Sequence, residues 1–329
     1  MRKVLLVTLI TFSLVYSQSK TSKISSDAGA FSRMGFGARG MGMGNAVSSV
    51  TEGNVVSYYN PALSVFQEGN FFQASYSFLS FDRTLNFINF TRKFQFKSSD
   101  TSSRKFIPVA GLSAGIINAG VSKIDGRDNQ GIKTGDLSTS ENQFFLSFAN
   151  RFSKKLAIGI AAKFYYYRLY DKITSGGFGL DIGLLYMLNQ NLNISLILAD
   201  INSKYKWDTS PIYDTEGNTT ENQFPILKKI GLSYRFDNPK IIAAVEFENS
   251  NAGTNYIRFG GEYNIYEQLY LRAGLDKWNL SNADFPARPS FGFSYFKEID
   301  KVIFGVEYAF VIEPYSSSDQ HIVGLNINF

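Results

Sequence analysis

The chain holds one histidine, His321, and no cysteine. His321 follows Ser316, Ser317, Ser318 and Asp319, so a Ser/His/Asp set exists by composition. No nucleophile-elbow motif accompanies it, and an interfacial histidine is the alternative reading. The absence of cysteine excludes disulfides, thiolate metal sites, a cysteine nucleophile and an acylated lipoprotein cysteine. One histidine excludes a multi-histidine metal site. Gly35-x-Gly37-x-x-Gly40 matches a dinucleotide fingerprint literally. That reading needs a strand before it, a helix after it and an acidic residue about 20 positions on. SSDAGAFSR precedes it instead, and no parallel βαβ unit follows. No catalytic, cofactor-binding or metal-ligating residue is therefore assigned. What remains is a set of charges, Lys163, Asp181, Arg235, Glu246, Glu248, Arg258, Glu262, Arg272 and Glu307, scattered through apolar segments.

The elements that carry these charges read with period two. Phe178, Leu180, Ile182, Leu184, Tyr186 and Leu188 share one parity, with Gly179, Asp181 and Gly183 on the other. Ile230, Leu232, Tyr234 and Phe236 alternate with Lys229, Gly231, Ser233 and Arg235. Successive strand side chains point to opposite faces, so each segment has an apolar and a polar side. About fourteen strands follow: 71–80, 84–95, 106–121, 142–151, 155–170, 177–188, 191–200, 226–236, 240–249, 255–264, 268–275, 289–297, 301–312 and 321–329. Tight connections such as 152–154, Gln190 and 237–239 alternate with long polar ones at 122–141, 201–225 and 276–288. That is the outer-membrane arrangement of short periplasmic turns and long outer loops. The short connection at 81–83 departs from it.

A soluble β-sandwich also alternates. The number of strands, the Phe and Tyr near strand ends (30 Phe and 19 Tyr in 329 residues) and the last strand ending in Phe329 favour the barrel. A terminal strand closing on Phe resembles the signal by which barrel-assembly machinery recognises its clients. With the Phe/Leu/Ile parity toward lipid, the charges above face the lumen. There they pair with one another and hold a plug, or they line a substrate path. An Arg or Lys facing lipid at mid-bilayer would cost roughly 2–4 kcal/mol. The expected fold is all-β: a transmembrane antiparallel outer-membrane β-barrel with an N-terminal lumenal plug of irregular or short helical structure.

Arg2 and Lys3 precede an apolar run at 4–16, with Val15 and Ser17 suited to a cleavage site. Residues 1–17 are expected to be a secretory signal, too short to span a bilayer, which takes about 20 residues. Cleavage removes two cations and lowers the formal charge from +5 to +3. Near-neutral charge, without a Lys/Arg cluster, argues against nucleic acid as a partner. Residues 18–70 are expected to form the extension and plug, and 71–329 the barrel. The expected location is the bacterial outer membrane, with its lipid as partner.

Residues 24–66 lack alternation. Glycines at 35, 37, 40, 42 and 44 imply close backbone approach or left-handed turns. Residues 45–51 are expected to form a short capped helix, and Asn60-Pro61 to start another. Gly37-Ala38-Arg39-Gly40-Met41-Gly42-Met43-Gly44-Asn45-Ala46, then Tyr58-Tyr59-Asn60-Pro61-Ala62-Leu63, resembles the N-terminal signature of PorV/PorQ-like outer-membrane proteins. These are relatives of FadL-type transporters. The resemblance implies that this segment plugs the barrel. It implies a role as an accessory to type IX-like protein secretion, with secretion components as partners. The alternatives are passive transport of hydrophobic small molecules such as fatty acids or hydrocarbons, and a closed structural barrel. In FadL-type relatives a kinked early strand opens a side exit. Pro108, Gly111 and Gly115 are the corresponding candidates here, or else mark a plain irregular strand start.

Overall fold

The computed structural model describes Ile24, residues 27–95 and residues 108–329. The expected signal at 1–17 lies outside them. The strands are β1 (Asn70–Phe78), β2 (Arg83–Gln95), β3 (Val109–Arg127), β4 (Lys133–Arg151), β5 (Leu156–Tyr170), β6 (Ile173–Met187), β7 (Leu192–Ile201), β8 (Lys204–Asp208) and β9 (Thr219–Gln223). They continue as β10 (Leu227–Phe236), β11 (Ile241–Ser250), β12 (Asn255–Tyr266), β13 (Leu269–Asn279), β14 (Arg288–Ile299), β15 (Val302–Val311) and β16 (Gln320–Asn328). All except β8 and β9 form one closed antiparallel barrel of fourteen strands, as the alternation predicts. β1 and β16 close it, with register from Phe71↔Asn328 to Phe78↔His321.

The outer face is apolar because one parity of every strand is. Phe144, Leu146 and Phe148 of β4 and Phe178, Leu180 and Ile182 of β6 are exposed, while Phe145, Ser147, Asp181 and Gly183 between them face inward. No described helix is long and apolar enough to cross a membrane. A closed barrel satisfies every ladder group internally and presents this band to hydrocarbon, which makes it a transmembrane barrel. Asn70 and Phe329 mark one rim, where their backbones exchange bonds of 2.9 and 3.0 Å. The 202–226 connection marks the opposite, loop-bearing rim.

Three elements differ from the sequence reading. The expected loop at 122–141 is instead a ribbon, because β3 and β4 stay paired from Val109↔Arg151 to Arg127↔Lys133. Beyond the bilayer both faces meet water, so the alternation that marks a strand disappears. The 202–226 connection carries the β8–β9 hairpin, whose Tyr205 and Trp207 alternate with Lys204, Lys206 and Asp208. Finally, helix α1 occupies Ala38–Gly42 rather than 45–51. Gly44 and Asn45 take left-handed φ of 58° and 60°, which ends the helix before 45–51 can begin one.

Candidate functional site

Residues 27–66 run through the lumen. The stretch 27–36 lies under the β8–β9 hairpin, where a Cβ on Gly29 would lie 2.1 Å from the Phe224 ring. The chain then descends through α1 to the 3-10 turn Pro61–Phe66 beside β3–β6. Pro61 sets the first turn and Asn60 caps it, its side chain accepting from the Ala62 amide at 3.0 Å. The Asn60 amide also donates to the carbonyls of Ser48 (2.9 Å) and Leu184 (3.4 Å).

The two sides of the lumen differ in chemistry. On β10–β16 the inner wall is charged. Arg39 grips Glu262 with two bonds, Nε to Oε2 at 2.8 Å and Nη2 to Oε1 at 2.7 Å. Its Nη1 donates to the carbonyls of Glu52 (2.8 Å) and Asn54 (2.7 Å), fixing that plug turn. Burial opposes the charge on Arg39, but the Glu262 carboxylate overcomes it and raises the guanidinium pKa. Arg272 donates to Glu262 at 2.6 Å and faces Glu307 at 3.5 Å. Arg258 binds Asp276 (2.8 Å), Glu246 (3.1 Å) and Glu248 (3.1 Å). Asn45 of the plug donates to Asp276 at 3.1 Å.

On β2–β6 the inner wall carries two apolar clusters, with buried Asn89, Thr91, Ser113 and Ser147 between them and the Lys163–Asp181 pair beside them. Toward the loop rim, Leu85, Phe87, Ile117 and Phe145 pack on Phe31 and Phe36 of the plug. Phe36 stacks on Phe87 at 5.5 Å, and Tyr58 meets Phe145 edge-on at 5.4 Å. Above them Tyr165 and Tyr167 of the wall join Tyr205, Trp207 and Phe224 of the hairpin region. Ring centroids lie 4.7 Å apart for Tyr165–Phe224 and 5.1 Å for Tyr167–Trp207. Each such pair adds about 0.5–1.5 kcal/mol beyond area burial. Burial, reinforced by Glu141, pushes the Tyr205 hydroxyl pKa up. Toward the terminal rim a second apolar cluster joins Val55, Leu63 and Val65 to Val109, Ala157 and Leu185. Below it opens a polar vestibule of about 780 Å³, bordered by Glu52, Gln67, Arg151, Arg235 and Glu298.

The sequence-assigned residues fall as follows. Glu246, Glu248, Arg258, Glu262, Arg272 and Glu307 are buried together on the charged side. Lys163 and Asp181 are buried elsewhere, beside the apolar side, with a bond of 2.7 Å. Arg235 stands apart near the terminal rim, 3.5 Å from Glu52. In the plug motif, Gly37 precedes α1 with φ 72°, Gly40 packs under the Tyr59 hydroxyl, and Gly42 lies against Gly292. Ala62 is fully buried. Among the described residues, Gly111 and Gly115 sit in a paired stretch of wall, with Pro108 just before it. The β2–β3 ladder runs unbroken from Gln95↔Val109 through Gly111 and Gly115 to Arg83↔Val121. Gly111 is needed for space, since a Cβ there would lie 2.4 Å from the Ser64 carbonyl carbon. Phe329 points outward at the terminal rim. His321 also faces outward, its Nδ1 2.7 Å from the Tyr308 hydroxyl, while the Ser316 hydroxyl pairs with Ser80. Among the described residues no acidic or histidine cluster could hold a metal ion.

Sequence reasoning missed two features. Inward Phe87 and Phe145 hide in strands whose outer faces are also apolar; the run Phe144-Phe145-Leu146 was the available signal. The other feature is a set of inward wall glycines against which the plug lies. A Cβ would approach the Asn60 side-chain Oδ1 to 2.1 Å from Gly183, and plug backbone from the others: the Pro61 carbonyl carbon to 2.5 Å from Gly159, Met43 O to 2.5 Å from Gly260 and Gly44 N to 2.1 Å from Gly274. Only glycine leaves room for the plug there.

The architecture defines a bacterial outer-membrane β-barrel with a plugged lumen. No protein-family model and no curated protein matches the chain. Among solved structures, the toluene transporter TodX of Pseudomonas putida superposes with TM-score 0.55 at 15% identity, over 89% of this chain and 96% of that one. A FadL homologue of Pseudomonas aeruginosa superposes with TM-score 0.54 at 9% identity, over 90% and 98%. The chain shares the fold of FadL-type outer-membrane transporters.

Proposed function

We propose that this protein is a FadL-type outer-membrane channel for hydrophobic small molecules, seen closed. The carrying observation is the pair of apolar clusters on the β2–β6 side, one at the loop rim and one above the vestibule, with a polar belt of Asn89, Thr91, Ser113 and Ser147 between them. Porin-type lumens are polar, so an inward run of Leu85, Phe87, Ile117 and Phe145 serves solutes that water does not favour. The loop rim faces outward from the cell and the vestibule faces the periplasm, following the usual placement of long loops and chain termini. Plug residues fill the apolar path in this state. Passage requires the stretch 28–36 and the β8–β9 hairpin to move, while α1 and the Pro61–Phe66 turn stay held. The expected accessory role in protein secretion rests on the 37–63 motif alone, and the shared fold favours the transport alternative.

The test is uptake of a radiolabelled hydrophobic compound by intact cells of a host lacking its own FadL-type channel. Expression should raise the initial rate several-fold over the empty vector. Equal rates at equal barrel abundance would overturn the proposal.

A further inference from the structure

The aromatic cluster at the loop rim is bordered by an unusual charge inventory. Lys163 borders it, sharing Asp200 Oδ1 with the Tyr165 hydroxyl, which donates there at 3.0 Å. That ammonium is already bracketed by Asp181 Oδ2 at 2.7 Å and Asp200 Oδ1 at 2.9 Å. Arg33 is the other cation. It spends its guanidinium on plug carbonyls, those of Ala28 (2.7 Å), Asp27 (3.2 Å) and Ile24 (3.3 Å). Glu141 faces the cluster from β4 and accepts from the Tyr205 hydroxyl at 3.3 Å. Three carboxyl groups thus stand against two engaged cations, in a buried region where an unpaired guest charge is costly. The polar groups that could greet a guest are phenols and carboxyls.

From this juxtaposition we infer that the Tyr165–Tyr167–Tyr205–Trp207–Phe224 cluster admits uncharged aromatic compounds and rejects carboxylates of the same size, fatty acids included. The inference rests on the channel reading above and narrows it. A guest enters as the plug stretch 28–36 moves aside, and an aromatic ring then meets edge and face partners such as Tyr165, Tyr205 and Phe224. A carboxylate would be desolvated beside Asp200 and Glu141, whose charges repel it. Glu141 is the specificity-determining residue the geometry singles out, because it reaches the cluster without belonging to the Lys163 ion cluster.

The experiment uses the full-length protein in detergent, carrying Trp278→Phe. The chain has two tryptophans, and Trp278 faces outward, so Trp207 becomes the only reporter. Quenching of Trp207 is titrated at neutral pH with 4-bromobenzamide and with 4-bromobenzoate, which match in size and differ in charge. The amide should quench saturably, and the carboxylate at least tenfold more weakly. Glu141→Gln should narrow that gap at least threefold with amide affinity retained. Saturable quenching by both compounds at similar concentrations would overturn the inference and leave the channel reading standing. No saturable quenching by either would overturn both. If Glu141→Gln does not fold, the amide-to-carboxylate ratio of the Trp278→Phe protein still decides.

Discussion

The two sides of this lumen hold the same plug by different physics. On β10–β16 the hold is directional: two-bond Arg39–Glu262 contact, Asn45 on Asp276, and the Ser233 hydroxyl on the Ser49 carbonyl at 2.8 Å. On β2–β6, toward the loop rim, it is ring packing and aliphatic burial, which tolerates sliding far better than a hydrogen-bond fork does. The hydrogen bonds described for 28–36 stay within the plug, as from the Tyr58 hydroxyl to the Ser32 carbonyl at 2.9 Å and from the Phe36 amide to Tyr59 at 2.8 Å. The difference teaches where motion belongs. One side fixes the plug in place, and the other leaves a greasy seam that can part.

The largest effect should come from the anchored side, where wall and plug backbones touch. Gly274→Val places a side chain where Gly44 N lies 2.1 Å from a Cβ, and backbone cannot yield as a flexible side chain can. The barrel should still form, because β13 keeps its ladders to β12 and β14. The plug should be expelled, giving large stable conductance in planar bilayers and protease cleavage at Arg39. A folded Gly274→Val barrel that stays closed would erase the anchored side from the comparison.

Arg39→Met comes next. It strands Glu262 with Arg272 alone and releases the Glu52 and Asn54 carbonyls. Breaking one partner of a buried pair costs roughly 3–5 kcal/mol. The expected readout is a lower midpoint in chemical denaturation and intermittent rather than permanent conductance. On the apolar side, Phe145→Leu keeps most of the volume and should cost under about 1.5 kcal/mol. Its effect should fall on uptake of hydrophobic compounds and not on ion conductance, which separates the two sides in one assay pair.

The wall was legible in the sequence because a membrane forces strict alternation: every outward residue from Phe178 to Tyr186 is apolar or Gly. The split between the two lumen sides was not. Strand parity says that Phe145 and Glu262 both point inward, but not which neighbours meet across the lumen, since that depends on closure and on the path of the plug. Thus Arg39 read as a lumenal cation, yet its partner could not be chosen among the inward glutamates. The glycines read as parity fillers. Gly183 looks like any weak strand residue until Asn60 is seen against it. The β8–β9 hairpin was legible in principle, from Tyr205 and Trp207 alternating with charges over five residues, a run as short as many loops show by chance.

The smallest expected effect concerns that hairpin, which closes the apolar seam from above. Its two strands are tied by an exposed ion pair, Lys204 Nζ to Glu221 Oε2 at 2.8 Å. The hydrogen bond from Lys204, and then its charge, hold the Glu221 carboxyl pKa below its ordinary value. Asp208 is likewise lowered, by its bonds to Ser210. A carboxyl whose folded pKa is depressed contributes stability that is present above its unfolded pKa, near 4.3 for Glu. That contribution fades as pH falls through the folded value. The hairpin should therefore be indifferent to pH around neutrality and loosen only in acid. In the Trp278→Phe protein, Trp207 emission should stay constant near neutral pH and shift slightly to the red in acid as its cover lifts. Glu221→Gln should make part of that shift pH-independent, and raised salt should mimic it, because the pair is exposed and screened. A red shift already complete at neutral pH, or one untouched by Glu221→Gln, would mean that the hairpin is held by Tyr205, Trp207 and Phe224 alone. The seam would then be gated by ring packing without electrostatic help.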